Sequence, residues 1–317
     1  MFYTAVNIKS SALSITYQDK VMTLGSCFAE NIGKKMHDAY FQTDINPFGV
    51  LYNPISIKNS FELLLENKQF THNDIFENKS LWQSFSHSSL FSTINSETCL
   101  EDINSRLESA AEFLQHADFM LITFGTAWVF EEKKSGRVVS NCHKLPASDF
   151  LRRRLTVEEI VSEYTSLISK LQTHFPNLKF IFSVSPIRHF KDGAHENNLS
   201  KCILLLAIEA LQKQFPQVDY FPAYEIMMDE LRDYRYYASD MLHPSEVAVD
   251  YIWKRFSETY FNDETLLIKK ELEQLAADLS HLPLHIDSDE FKKFKNNTEQ
   301  RKVSLINKYP FLSNRID

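Results

Sequence analysis

Gly25-Ser26-Cys27 follows the apolar run Val21-Met22-Thr23-Leu24 and precedes Phe28-Ala29-Glu30-Asn31. That order predicts a strand, a one-glycine turn and a helix start, with two nucleophile types, a hydroxyl and a thiol, on the turn. Glycine admits a backbone conformation closed to other residues, and the helix behind it points unpaired N–H groups and a positive dipole end at whatever the turn presents. Such a place stabilises an anion or a thiolate. The plainer alternative is a strand-to-helix connection holding a small buried thiol.

Ser239-Asp240-Met241-Leu242-His243-Pro244-Ser245 is the matching half. An acid three residues before a histidine, on a loop closed by proline, can set a carboxylate against one imidazole nitrogen and leave the other free as a base. A turn nucleophile needs those two partners. The same residues also suit a capping loop, since Pro244 disfavours helix at His243 while Ser245 and Glu246 suit a helix entry. His143 competes for the role of base. Its neighbours Asn141, Cys142 and Lys144 include no carboxylate, so His243 is preferred and His143 is expected to line the site as a donor. Arg188 and His189 directly follow an apolar run at 178–184, where a guanidinium could hold a carboxylate, a phosphate or a sugar hydroxyl. The alternative there is a salt bridge within the loop. Cys142, His143, His189 and His195 have no metal-ligand spacing, so no metal and no cofactor are expected.

The elements that must position these residues are legible as alternation. Short apolar runs at 21–25, 41–45, 118–124, 178–184 and 218–221 read as buried parallel strands. Helical patterns occupy 28–39, about 55–66, 97–116, 157–174, 197–214 and 224–232. The expectation is an α/β protein, a three-layer α/β/α sandwich with a five-stranded parallel sheet. Lys133-Lys134-Ser135-Gly136, between Trp128-Val129-Phe130 and Arg137-Val138-Val139, signals a hairpin at the strands' carboxyl end, where α/β sheets bind ligands. A last core helix spans about 245–260. Beyond it two helices, 264–282 and about 288–307, form an expected C-terminal extension, dividing the chain into 1–261 and 262–317. Their apolar stripe is read as packing rather than as a partner-binding face.

Composition narrows the classes of function. The chain has 317 residues, 44% hydrophobic and 24% charged, with a net charge of −8. It has no basic stripe interleaved with aromatics, so no nucleic-acid partner is expected. Arg152-Arg153-Arg154 is the one cationic cluster and is read as solvated surface ahead of a helix start. Four scattered cysteines fit free thiols in a reducing compartment. No segment has the form of a cleaved leader or of an uncharged membrane span, so the expectation is a cytoplasmic protein without membrane insertion.

Gly25-Ser26-Cys27-Phe28-Ala29 together with Asp240 to Pro244 resembles the GSCFA-domain family, placed in the clan of SGNH/GDSL-type esterases. Asn46 to Pro54, Thr123 to Trp128, Asn141 to Lys144, Ser185 to His189 and His195 to Lys201 also look like this family, so the resemblance covers roughly 20–260. It implies a flavodoxin-like SGNH hydrolase fold. In the clan's Gly-Asp-Ser turn the third residue is the nucleophile, which corresponds here to Cys27, with Ser26 in the aspartate position. A register shifted by one makes Ser26 the nucleophile. The clan's second block contributes a glycine amide to the oxyanion hole, matched by Gly49. Its third block is Gly-x-Asn, and Gly125-Thr126-Ala127 lacks that asparagine, a donor of the kind that contributes on the order of 3 kcal/mol. Asn141 is the candidate replacement, or else a structural asparagine satisfying its own loop.

These residues together point to hydrolysis of an acyl ester, most simply an O-acetyl ester, on a small-molecule or carbohydrate-like alcohol through an acyl-enzyme. The alternatives are an acyltransferase using the same triad on a carbohydrate-like acceptor, and a catalytically silent ligand-binding homologue. Nothing in the sequence speaks to oligomeric state.

Overall fold

The computed structural model describes residues 4–281 and 288–316. Five parallel strands form the central sheet: β1 (Lys20–Gly25), β2 (Gln42–Ile45), β5 (Phe119–Phe124), β9 (Lys179–Val184) and β10 (Val218–Phe221), in the spatial order β10-β9-β5-β1-β2. Counted among themselves these strands run 2-1-3-4-5, the flavodoxin-like order. The chain steps one way from β1 to β2 and the other way through β5, β9 and β10. Right-handed crossovers therefore place α1 (Cys27–Asp38) on one face and α2 (Pro54–Leu65), α3 (Ser96–Leu114), α4 (Val157–His174) and α5 (Ala194–Gln214) on the other.

The strands carry side chains for both faces, because successive residues point to opposite sides. Met22, Leu24, Met120, Ile122, Phe180 and Phe182 join the core under α2 to α5. Val21, Phe119, Leu121 and Ile181 join the other core, with Phe28, Ile32 and Met36 of α1. This two-sided burial explains the near-continuous apolar runs in the sequence.

After β10 the expected helix over 224–232 is one turn, α6 (Ala223–Glu225), followed by a π-type turn, Ile226–Glu230. The last core helix, α7 (Glu246–Tyr260), lies on the α1 side with Ile252 and Phe256 buried. Next come α8 (Asp263–Leu279) and α9 (Asp289–Lys308). Ile268, Leu272, Leu275 and Leu305 bury their stripe in the same core as Tyr17, Phe41 and Trp253. No helix among the described residues is long and apolar enough to cross a membrane.

Two small sheets decorate this frame. One is the hairpin of β3 (Phe76–Asn78) and β4 (Leu81–Gln83). The other follows β5 directly, where β6 (Trp128–Glu132) pairs antiparallel with β7 (Val138–Val139) and β8 (Phe150–Arg154). The expected hairpin is present, but Arg152-Arg153-Arg154 forms its third strand instead of a solvated lead-in to α4. Partners keep the arginines there: Arg152 lies 4.2 Å over the Trp128 ring and pairs with Asp192, Arg153 bonds Glu131 and Glu159, and Arg154 bonds Glu196.

Candidate functional site

A cleft of about 1020 Å³ opens at the carboxyl end of the sheet, at the switch point between β1 and β5. Three loops build its floor. Gly25 ends β1 at φ +136°, and a Cβ there would stand 2.2 Å from the Thr123 carbonyl oxygen, so only glycine makes the turn. Its N–H donates to Asn46 Oδ1 at 2.9 Å, and its carbonyl accepts from Leu51 N at 2.9 Å, tying the loop after β2 to the turn. The Tyr52 carbonyl in turn accepts from both Gly125 N and Thr126 N, at 2.7 and 2.9 Å, tying in the loop after β5.

On the turn the two candidate nucleophiles differ. Ser26 is the N-cap of α1, its Oγ accepts from Phe28 N at 3.3 Å, and the residue is 1% exposed at the edge of the cleft. Cys27 opens the helix, half-buried, with Sγ 3.6 Å from the Tyr52 hydroxyl. Burial, and then the thiol beside it, push the Tyr52 phenol above its ordinary range, so it stays protonated and able to donate. The Cys27 N–H, at the first position of the helix, has no backbone partner among the described residues.

Across the cleft the loop before α7 presents a carboxylate and an imidazole in contact. Asp240 Oδ2 lies 2.5 Å from His243 Nδ1, while Oδ1 accepts from the backbone N–H groups of Leu242 and His243 at 2.9 Å each. Those two amides and the ring hold the Asp240 carboxyl down at about 2, so it is ionised at any working pH. The ring is half exposed and lines the cleft, and its Nε2 has no partner among the described residues. His189 links the two sides. Its ring meets Tyr52 edge-on at 5.8 Å and lies within electrostatic reach of His243. Burial and the charge of Lys201 lower His189 to about 4, keeping it neutral near pH 7. Ser26, Tyr52, His189 and His243 thus line one space.

The remaining expected residues sort by what their polar atoms already do. The Gly49 N–H donates to the Asn46 carbonyl at 2.7 Å within its own turn, and the Gly125 N–H is taken by Tyr52, so neither amide is free for an oxyanion. The next amide after Gly49, that of Val50, has no partner among the described residues, and Val50 lines the cleft. Asn141 reaches the cleft with its side chain engaged at both ends, by Ser89 Oγ at 3.2 Å and His143 N at 2.8 Å. His143 itself departs from the expectation of a site-lining donor. It is 5% exposed, and its Nε2 meets the Ser84 carbonyl at 2.8 Å while the ring packs edge-on against Phe76, so a left-handed backbone (φ +47°) turns it inward. Arg188 lines the cleft beside His189. Among the described residues no three His, Cys, Asp or Glu side chains gather in a metal-binding arrangement.

Two features escaped sequence reasoning. Tyr52 sits inside the run Asn46 to Pro54 with nothing local to mark its hydroxyl. The other is the start of α5, where Asn197, Ser200 and Lys201 are 2%, 2% and 1% exposed. Their i, i+3, i+4 spacing puts three polar groups on one face, a signal available in the sequence. Asn197 Oδ1 accepts from His189 N at 2.9 Å and Ser200 Oγ from Ala127 N at 2.7 Å. Lys201 Nζ donates to the carbonyls of Gly125 and Ser185 at 2.7 and 2.8 Å, bracing the loops after β5 and β9.

Residues 20–256 match the profile of the GSCFA family. Among solved structures, a protein from Streptococcus pneumonia provisionally described as a platelet activating factor is 12% identical, covering 78% of this chain and 85% of its own, with a TM-score of 0.36. A family 3 carbohydrate esterase from Clostridium thermocellum is 13% identical, covering 80% of this chain and 98% of its own, with a TM-score of 0.33. No curated protein matches the chain.

Proposed function

The chain belongs to the GSCFA family, and we propose from that premise that it hydrolyses an acyl ester, in the simplest case an O-acetyl ester of a small-molecule or carbohydrate-like alcohol. The observation that supports this reading most is the Asp240–His243 pair, its outer nitrogen without a partner among the described residues, whose imidazole lines the same cleft as Ser26, the residue before Cys27. Cys27 Sγ attacks the carbonyl carbon as His243 Nε2 takes the thiol proton. The tetrahedral oxyanion accepts from the N–H groups of Cys27 and Val50 and from the Tyr52 hydroxyl. Collapse breaks the ester C–O bond, and the proton on His243 goes to the leaving alcohol. Water then attacks the thioester with His243 as base, releasing the carboxylic acid and restoring the thiol. Asp240 holds the imidazole in the orientation and tautomer that both steps need.

Four cysteines without disulfide partners support a reducing, cytoplasmic setting. The test is release of acid from short acyl esters by the purified chain, with and without an added sugar alcohol to detect transfer. Asp240→Asn is expected to lower kcat by about 10²–10⁴-fold with the fold intact, as when a triad carboxylate is lost. Undiminished turnover in that variant overturns the triad.

Ser26→Ala separates the two candidate nucleophiles. Losing an N-cap costs about 1 kcal/mol, so thermal denaturation is expected to shift down while turnover stays within about tenfold of the parent, less than a lost nucleophile costs. A collapse of turnover in Ser26→Ala, with Cys27→Ala still active, moves the nucleophile to Ser26.

A further inference from the structure

The chain carries a net charge of −8, yet the wall of its cleft has the opposite sign. Among the described residues Lys144, Arg152, Arg188 and Lys191 line the space, against one lining carboxylate, Asp192. Asp192 is already paired with Arg152, whose guanidinium is also held over Trp128 and Phe130 at 4.2 and 5.4 Å. Asp240 stands behind the His243 ring and is consumed by it. Lys144, Arg188 and Lys191 have no carboxylate partner among the described residues.

Arg188 is the most constrained of the three. It is half-buried, and its Nε contacts the Met228 sulfur at 3.1 Å. A half-buried guanidinium that lines a cleft and lacks a carboxylate partner among the described residues is a site that a bound anion suits. The fixed fork of donors suits a carboxylate or a phosphate, and the two lysines add attraction of the same sign at the cleft wall.

Resting on the acyl-ester reading, we propose that the substrate is an anionic ester, its carboxylate or phosphate held by Arg188 with Lys144 and Lys191 while the acyl group faces Cys27. The cleft then selects its substrate by charge, on a chain whose net charge has the opposite sign.

Three acetyl esters test this: 4-acetoxybenzoate, 4-acetoxyphenyl phosphate and the neutral 4-acetoxybenzamide. At low salt kcat/KM is expected to be at least about tenfold higher for an anionic ester than for the amide, and the ratio to shrink as salt screens the wall. Arg188→Gln is expected to collapse that ratio, and Lys144→Gln and Lys191→Gln to reduce it. Whichever of the two anionic esters has the larger ratio identifies the anion. Equal rates for all three esters overturn the proposal and leave the hydrolase reading standing. Calorimetric binding of the same esters to the Cys27→Ala protein keeps the outcomes separate. Tighter binding of an anionic ester that the parent protein does not turn over upholds the anion site and sinks the hydrolase reading, whereas equal or weaker binding than the amide overturns the anion site.

Discussion

Cys27→Ala is expected to lower turnover of a short acyl ester by about 10⁴-fold or more, the scale on which nucleophiles are lost from acyl-transfer triads. The stability cost is expected to be small, because Sγ is half-buried with one polar contact among the described residues, to the Tyr52 hydroxyl. The variant keeps the N-cap on Ser26 and the N–H groups of residues 27 and 50, unpartnered among the described residues, so a residual rate above the uncatalysed one is expected from the oxyanion donors. Cys27→Ser restores a nucleophile of higher pKa and should recover only part of the rate. Trapping supplies a readout beyond rate. Brief exposure to an activated acetyl ester should leave an acetyl group on the peptide containing residue 27, and His243→Ala should suppress that labelling. Full turnover in Cys27→Ala, or an acetyl group found elsewhere, removes Cys27 from the chemistry.

Lys201→Met should produce the largest effect outside the reacting groups, and it should depend on pH. Burial first, and then the Arg188 charge, lower Lys201 to about 7, against about 10.4 for a lysine in an unfolded chain. Between those values the unfolded chain binds a proton that the folded chain does not. Stability therefore rises with pH from about 7 to 10.4, by at most about 1.4 kcal/mol per pH unit from this group. Below pH 7 the ammonium is buried at full cost.

Methionine removes that cost and orphans two buried carbonyls, Gly125 O and Ser185 O, at about 1–3 kcal/mol each. Near pH 6 the two effects oppose at full strength, whereas near pH 9 most of the ammonium's cost has gone, the amine still donates both bonds and the loss weighs more. Lys201→Met should thus be markedly less stable than the parent at pH 9 and closer to it at pH 6. Urea midpoints at several pH values measure this, and parallel profiles for the two proteins would falsify it. Loosening the loops that carry Thr126 and His189 is also expected to lower kcat, since Lys201 braces the strand ends from which they leave.

Most of the frame was legible because it rests on local pattern. Apolar runs at 21–25 and 118–124 are strands since both faces of a parallel strand are covered, and periodicity alone reports that. The Asp240–His243 contact was legible for a similar reason: the two residues are three apart on a loop that Pro244 closes, and Asp240 bonds two amides of the same loop. The arginine strand was not legible, because a run of three charges looks solvated unless Trp128, Asp192, Glu131 and Glu196 are known to surround it.

By itself the sequence determined the α/β class, the glycine turn with its hydroxyl and thiol, and the acid–histidine pair, all properties of residues within a few positions of one another. Only the tertiary structure decided which atoms remain available. It engaged the amides of Gly49 and Gly125, left those of Cys27 and Val50 without a partner among the described residues, turned His143 inward, and brought Tyr52 to the thiol and Lys201 beneath two strand ends. The physical reason is that a donor's freedom is set by whatever carbonyl or void folding places against it. For Lys201 those partners lie 76 and 16 residues away, beyond the reach of any local pattern.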